Sequence, residues 1–139
     1  MTQLEALIAL NMAPHLGPIR LRQLIDQFGD PQNILGAPVE HLMQAHGVGA
    51  ETAEVLAHWE KHVDLNAELK RIEASGCRVI TQHDVEYPPL LRQIYDPPIV
   101  LYIRGSLLEG DKNSIALVGS RQTTAYGMET ARQIGRAHV

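Results

Sequence analysis

The sequence predicts a helical module followed by the start of an α/β domain. Three observations carry that prediction. Apolar stripes at helical spacing, broken by Gly and Pro, run as far as Gly76. Short β-rich runs follow that residue. The 139 residues are 45% apolar, enough core for one ordinary domain or two small ones. With charged residues at 20%, Pro at 8 and Gly at 11, the composition excludes disorder, collagen and low-complexity sequence.

Thr2 caps the first predicted helix, with Glu5 placed to complete a capping box and Leu4, Leu7, Ile8 and Met12 on one face. Gly17-Pro18 stops that element and starts the next, striped by Ile19, Leu24, Ile25 and Phe28 and ended by Gly29. Asp30-Pro31 opens a short helix to Leu35, and Pro38 to Ala45 forms another. A long helix is expected from Ala50 to Ser75, ending at Gly76. Strands are expected at Cys77–Thr81, Ile99–Arg104 and Ser114–Val118, with a short helix over Tyr87–Ile94 and a last helix over Gly127–Ala137. Residues 1–65 are therefore assigned to the helical module and 66–139 to the first part of the α/β domain. Three strands and one crossover helix cannot cover both faces of a parallel sheet, so the chain is expected to be a fragment of a longer protein.

Net charge is −4, unevenly spread. Residues 1–60 carry two basic groups against seven acidic, whereas residues 111–139 carry four against two. The chain lacks the basic footprint of a general duplex-DNA binder, and its last segment is the better place for a nucleic acid. No stretch suits a membrane span or a signal peptide, which points to a cytoplasmic protein. Cys77 stands alone, leaving no internal disulfide or Cys-based zinc site. His58 and His62 are four apart but imply no third ligand, so no metal or other cofactor is expected.

Two glycine turns have the chemistry of phosphate contacts. His46-Gly47-Val48-Gly49-Ala50, with Ala53 beyond, is the helix-hairpin-helix pattern, and Leu16-Gly17-Pro18-Ile19 is a degraded copy. Such turns aim free N–H groups of the following helix at an anion, making Gly47 and Gly49 candidates for a weak backbone contact to phosphate. The acidic surroundings, with Glu51 in the first turn, favour turns that only join packed helices. The second turn, Val118-Gly119-Ser120-Arg121-Gln122-Thr123-Thr124-Ala125-Tyr126-Gly127, leads from an apolar run into a helix. Gly119, Ser120 and Thr124 suit a phosphate cradle, Arg121 adds a fork of donors, and Tyr126 offers a face for base stacking, while an ordinary strand-to-helix turn with a solvated Arg121 fits the same residues. The spacing matches neither the dinucleotide fingerprint nor the P-loop. Tyr87 to Gly105, with two Pro-Pro pairs, reads as a structural segment, in which Asp96-Pro97-Pro98 turns the chain into a strand.

Taken together, YPPLLRQIYDPPIVLYIRG and IALVGSRQTTAYG closely resemble the bacterial DNA-processing protein A (DprA, also called Smf) family. Tyr87, Pro88, Leu91, Ile94, Asp96, Pro97, Pro98, Leu101, Tyr102 and Gly105 fit the first family pattern; Val118, Gly119, Arg121, Thr124, Tyr126 and Gly127 fit the second. The resemblance implies a sterile-alpha-motif-like (SAM-like) helical domain followed by an extended Rossmann-like domain. It implies binding and protection of single-stranded DNA during natural transformation, loading of the recombinase RecA, self-association as a homodimer in the full-length protein, and no enzymatic activity. In that setting the Gly119-Ser120-Arg121 turn holds a DNA phosphate. Two other readings stand beside it: a Rossmann-like enzyme that cleaves a nucleoside monophosphate, and a helical protein-interaction module acting through its acidic face.

Overall fold

A computed structural model describes residues 1–136, apart from the side chains of Lys112 and Arg136. The chain divides into two compact units, the first running from Met1 to Leu107 and the second starting at Leu108. The first is helix-rich with a small two-stranded sheet. Among the described residues, no helix is long and apolar enough to cross a membrane.

Helix α1 (Gln3–Met12) begins with the expected capping box: Glu5 N–H donates to the Thr2 hydroxyl at 3.2 Å, and Thr2 N–H donates to the Glu5 carboxylate at 2.7 Å. Its five residues Ala6–Leu10 are all buried, whereas Leu4 is 38% exposed. A helix apolar all round is a central helix, and α1 packs against neighbours on several sides rather than through one stripe. Helix α2 (Pro18–Phe28) has Pro18 at its first position and buries Leu21 and Leu24. Gly29 follows it at φ 79°, a conformation that favours glycine. Two short helices, α3 (Pro31–Leu35) and α4 (Val39–Leu42), bring Ile34 and Leu42 into the same core.

The long helix expected over 50–75 is broken. Helix α5 (Ala50–Ala57) gives way to a 3-10 turn at Trp59–Lys61, and α6 (Leu65–Ser75) starts afresh. Asp64 caps α6 by accepting from Ala67 N–H at 2.9 Å, so the chain re-initiates where a side chain satisfies the orphan donors. The break lets Val63 bury and Trp59 pack half-buried on the core. Gly76, at φ 65°, ends α6 in the left-handed region as expected, and Cys77 N–H donates back to Ile72 O at 3.1 Å.

Strands β1 (Arg78–Thr81) and β2 (Val100–Ile103) pair antiparallel, with Arg78 opposite Ile103 and Thr81 opposite Val100. Ile99 and Val100 join the apolar core that holds α1, so the hairpin shares the helices' core. Between the strands lies α7 (Pro89–Arg92), begun by its prolines. The third expected strand does not form among the described residues: Ser114–Val118 has no ladder partner, and Ile115, Leu117 and Val118 are 64%, 55% and 93% exposed. An apolar strand needs a paired edge and covered faces, and Ser114–Val118 has neither among the described residues. In the second unit a 3-10 turn at Glu109–Asn113 precedes the amphipathic helix α8 (Ala125–Arg136); the expected end at Ala137 lies outside the described residues.

Candidate nucleic-acid interface

The turn before α8 is open to solvent. Gly119, Ser120, Arg121 and Thr124 are all exposed, and the Tyr126 ring is 81% exposed. Arg121 makes no hydrogen bond or ion pair among the described residues, which leaves its five donors to solvent or a ligand. The Ser120 hydroxyl donates to Gln122 O, which tightens the turn. Thr124 has a structural task as well: its hydroxyl accepts from Gly127 N–H at 3.1 Å and caps α8. The N–H groups of Ala125 and Tyr126, ahead of that bond, are the free donors at the helix start. Gly127 admits nothing larger without movement, since an added Cβ would lie 2.6 Å from the Thr123 hydroxyl.

A cavity of about 390 Å³ adjoins this turn, lined by Gly119, Thr123, Tyr126 and Gly127 together with Leu117 and Met128. The structure thus brings Gly119 and Tyr126 to one hollow, while Ser120 and Arg121 stand outside its lining.

The glycine turns of the first unit are also placed together. Gly47 sits at φ 77°, which accounts for glycine there, and a Cβ on it would lie 3.9 Å from both Arg20 Nε and Gln23 Oε1 of α2. Gly49 is the N-cap of α5 and provides no side-chain cap. Glu51 lies 3.5 Å from His15 Nε2, linking the first turn of α5 to the loop before α2. Gly17 and Gly47 face one cavity of about 480 Å³, which Arg20 and Asp96 also line. Asp96 belongs to the Asp-Pro-Pro turn that leads into β2.

The long proline motif is a clasp. Arg22 Nη2 donates to Pro97 O at 3.3 Å, and Gln82 Nε2 donates to Pro97 O at 2.8 Å and Pro98 O at 3.1 Å. Tyr87 is 1% exposed, and its hydroxyl donates to Pro98 O at 2.6 Å. Burial pushes that phenol above its usual pKa, against the pull of Arg92 and Arg22. Arg92 lies over the ring, 5.4 Å from its centre, and donates to Asp84 O at 3.1 Å. Asp84 in turn accepts from Thr81 N–H at 2.6 Å and the Thr81 hydroxyl at 2.9 Å, which holds its carboxyl below the usual range. His58 bonds Glu54 rather than His62, and no group of three or more His, Cys, Asp or Glu able to hold a metal occurs among the described residues.

Comparison with known proteins gives a consistent set of matches. The sequence pattern of the family described as DNA recombination-mediator protein A matches residues 78–139. The chain is 27% identical to Protein Smf of Synechocystis over 136 residues, covering 95% of this chain and 34% of that protein. It is 37% identical to DNA processing protein DprA of Bacillus subtilis over 67 residues, 48% of this chain and 23% of that protein. A Protein Smf of Borreliella burgdorferi is 34% identical over 64 residues, 46% of this chain and 20% of that protein. The chain thus spans about a third or less of the length of these relatives. No solved structure matches it.

Proposed function

Because the chain belongs to the DNA-processing protein A (DprA/Smf) family, we propose that it is the part of such a protein that grips single-stranded DNA by a backbone phosphate at Gly119, Ser120 and Arg121. Thr124 and Tyr126 complete the site, one by fixing the start of α8 and the other by stacking on a base. In this reading residues 1–65 are a SAM-like helical domain with helix-hairpin-helix turns, and Gly47 and Gly49 add a weak backbone contact. Residues 66–139 open an extended Rossmann-like domain. The whole protein acts in the cytoplasm as an accessory of natural transformation that protects the incoming strand and loads RecA, as a homodimer. It binds rather than catalyses.

The observation that carries the reading is the Arg121 guanidinium, exposed and without a partner among the described residues, in the turn that leads into α8. A charged fork of donors with no acceptor among the described residues suits phosphate oxygens. It also lies where basic groups outnumber acidic ones.

Fluorescence anisotropy of a labelled single-stranded oligonucleotide tests it, at two salt concentrations with a duplex control. The expected result is salt-sensitive binding that prefers the single strand. Arg121→Ala should weaken binding about tenfold and lower the salt slope by about one. Equal affinity for duplex, or affinity unchanged in the variant, would overturn the proposal.

A further inference from the structure

The break between α5 and α6 leaves a hollow against the start of α1. Its volume is about 640 Å³, with Trp59, Leu65 and Leu69 among its apolar lining residues and Glu5, Glu60 and Asp64 as its acidic ones. No Lys, Arg or His lines it, and its one cationic group is the amino group of Met1. Glu60 is exposed and has no partner among the described residues. Glu5 and Asp64 each use one oxygen in a helix cap, accepting from Thr2 N–H and Ala67 N–H, and leave the second oxygen without a partner among the described residues. Trp59 is half-buried, and its indole N–H donates to no acceptor among the described residues. The one cation–π pair among them is Arg92 on Tyr87, so no such cation covers the indole.

An apolar floor beside three carboxylates and one cation selects its occupant by charge. The described residues hold no group of three His, Cys, Asp or Glu able to bind a metal. A nucleic acid brings further negative charge and is repelled. A second copy offering the same face is repelled as well, since residues 1–60 carry seven acidic groups against two basic. A small amine leaves the apolar floor in water. The space falls in the range of about 300–1,000 Å³ that takes a drug-sized ligand, which is room for several side chains of a peptide. A helix with an apolar stripe and cations along its edge meets both demands, covering the floor and pairing with the carboxylates.

We propose that this hollow docks a basic amphipathic helix of a partner protein. Its apolar side chains lie over Trp59, Leu65 and Leu69, and a Lys or Arg on its edge pairs with Glu60. The indole adds a face for a second cation. The site stands apart from the single-strand reading above, because it belongs to the first unit and takes a ligand of the opposite charge.

The chain contains one tryptophan, so its emission reports on this hollow. The test titrates the whole chain with a peptide of about 14 residues that carries Leu and Lys at helical spacing and no aromatic residue. Trp59 emission should move to the blue and saturate, and affinity should fall about fivefold between low and physiological salt. A peptide with Glu in place of Lys should leave the emission unchanged. Glu60→Lys should weaken binding about tenfold and Glu60→Gln about threefold. Glu40→Lys makes the same change of charge at an exposed residue outside the hollow, and should alter binding less than about twofold. No emission change, an equal response to the Glu peptide, or equal losses in Glu60→Lys and Glu40→Lys would overturn the site. A response to a single-stranded oligonucleotide in place of the peptide would give the hollow to nucleic acid. Emission that shifts with the concentration of the protein alone would give it to a second copy. Either result removes the proposal, and neither bears on the Arg121 turn.

Discussion

Before Leu107 some of the residues that make the sequence recognisable hold the chain to itself; from Leu108 onward most of them are exposed. Tyr87, Pro97 and Pro98 show the first behaviour, with a buried phenol, a guanidinium and an amide all donating to two proline carbonyls. Gly119, Ser120, Arg121 and Tyr126 show the second, exposed and with only local bonds. The difference teaches that two motifs of equal specificity do different work. The proline motif fixes where Asp96 and β2 lie, because prolines lend carbonyls but no N–H donors to the clasp. In the glycine-arginine motif Ser120 donates only to the nearby Gln122 O, and the Arg121 guanidinium has no partner among the described residues.

Substitution of paired tyrosines is the strongest way to break that comparison. Tyr87→Ala removes a buried ring and the donor to Pro98 O, and should destabilise the first unit by about 3–5 kcal/mol. Tyr126→Ala, at a ring 81% exposed, should change stability by less than about 0.5 kcal/mol and weaken oligonucleotide binding instead. Urea unfolding of both variants, with anisotropy alongside, checks this. Comparable stability losses would mean that the second motif is structural too.

Much of the first unit was legible in advance because its signals are local. The Thr2 capping box, Pro18 at the start of α2 and the left-handed Gly76 each follow from a few neighbouring residues. The break between α5 and α6 was missed although Asp64 is a good N-cap, because the apolar spacing continues through it without Gly or Pro. The strand expected over 114–118 was read from composition, yet a strand also needs a partner, which composition does not reveal. For the candidate site, the exposure of Arg121 agrees with its sequence pattern. Asp96 was legible as the turn into β2, but the burial of its unpartnered oxygen is set by tertiary packing, which local sequence does not reveal.

Asp64→Ala sharpens the contrast at smaller scale. It removes the cap that divides α5 from α6 and should cost about 1 kcal/mol, read as a lower urea midpoint with an unchanged slope. In the second unit, Gly127→Ala brings a Cβ against the Thr123 hydroxyl but also improves helix propensity. Alone it should be near neutral; combined with Thr123→Ala it should raise α8 protection in hydrogen exchange by about 0.5–1 kcal/mol. A gain from Gly127→Ala without the second change would mean the hydroxyl moves away freely.

The smallest effect is a pH dependence confined to the first unit. Thr81 holds the Asp84 carboxyl below its ordinary pKa, by its N–H first and its hydroxyl second. A carboxyl depressed on folding contributes stability above its unfolded pKa of about 3.9, and loses that contribution as pH falls through the lower folded value. Asp84 is exposed, so the contribution is screened and should stay below about 0.5 kcal/mol. Asp84→Asn should therefore flatten the stability curve slightly below pH ~4 and leave it parallel to wild type at neutral pH. The measurement is the urea midpoint of both proteins from pH 3 to 7. Because Arg92 also donates to Asp84 O, a backbone contact the substitution preserves, any larger loss at neutral pH would show that the carboxylate itself supports the clasp around Tyr87.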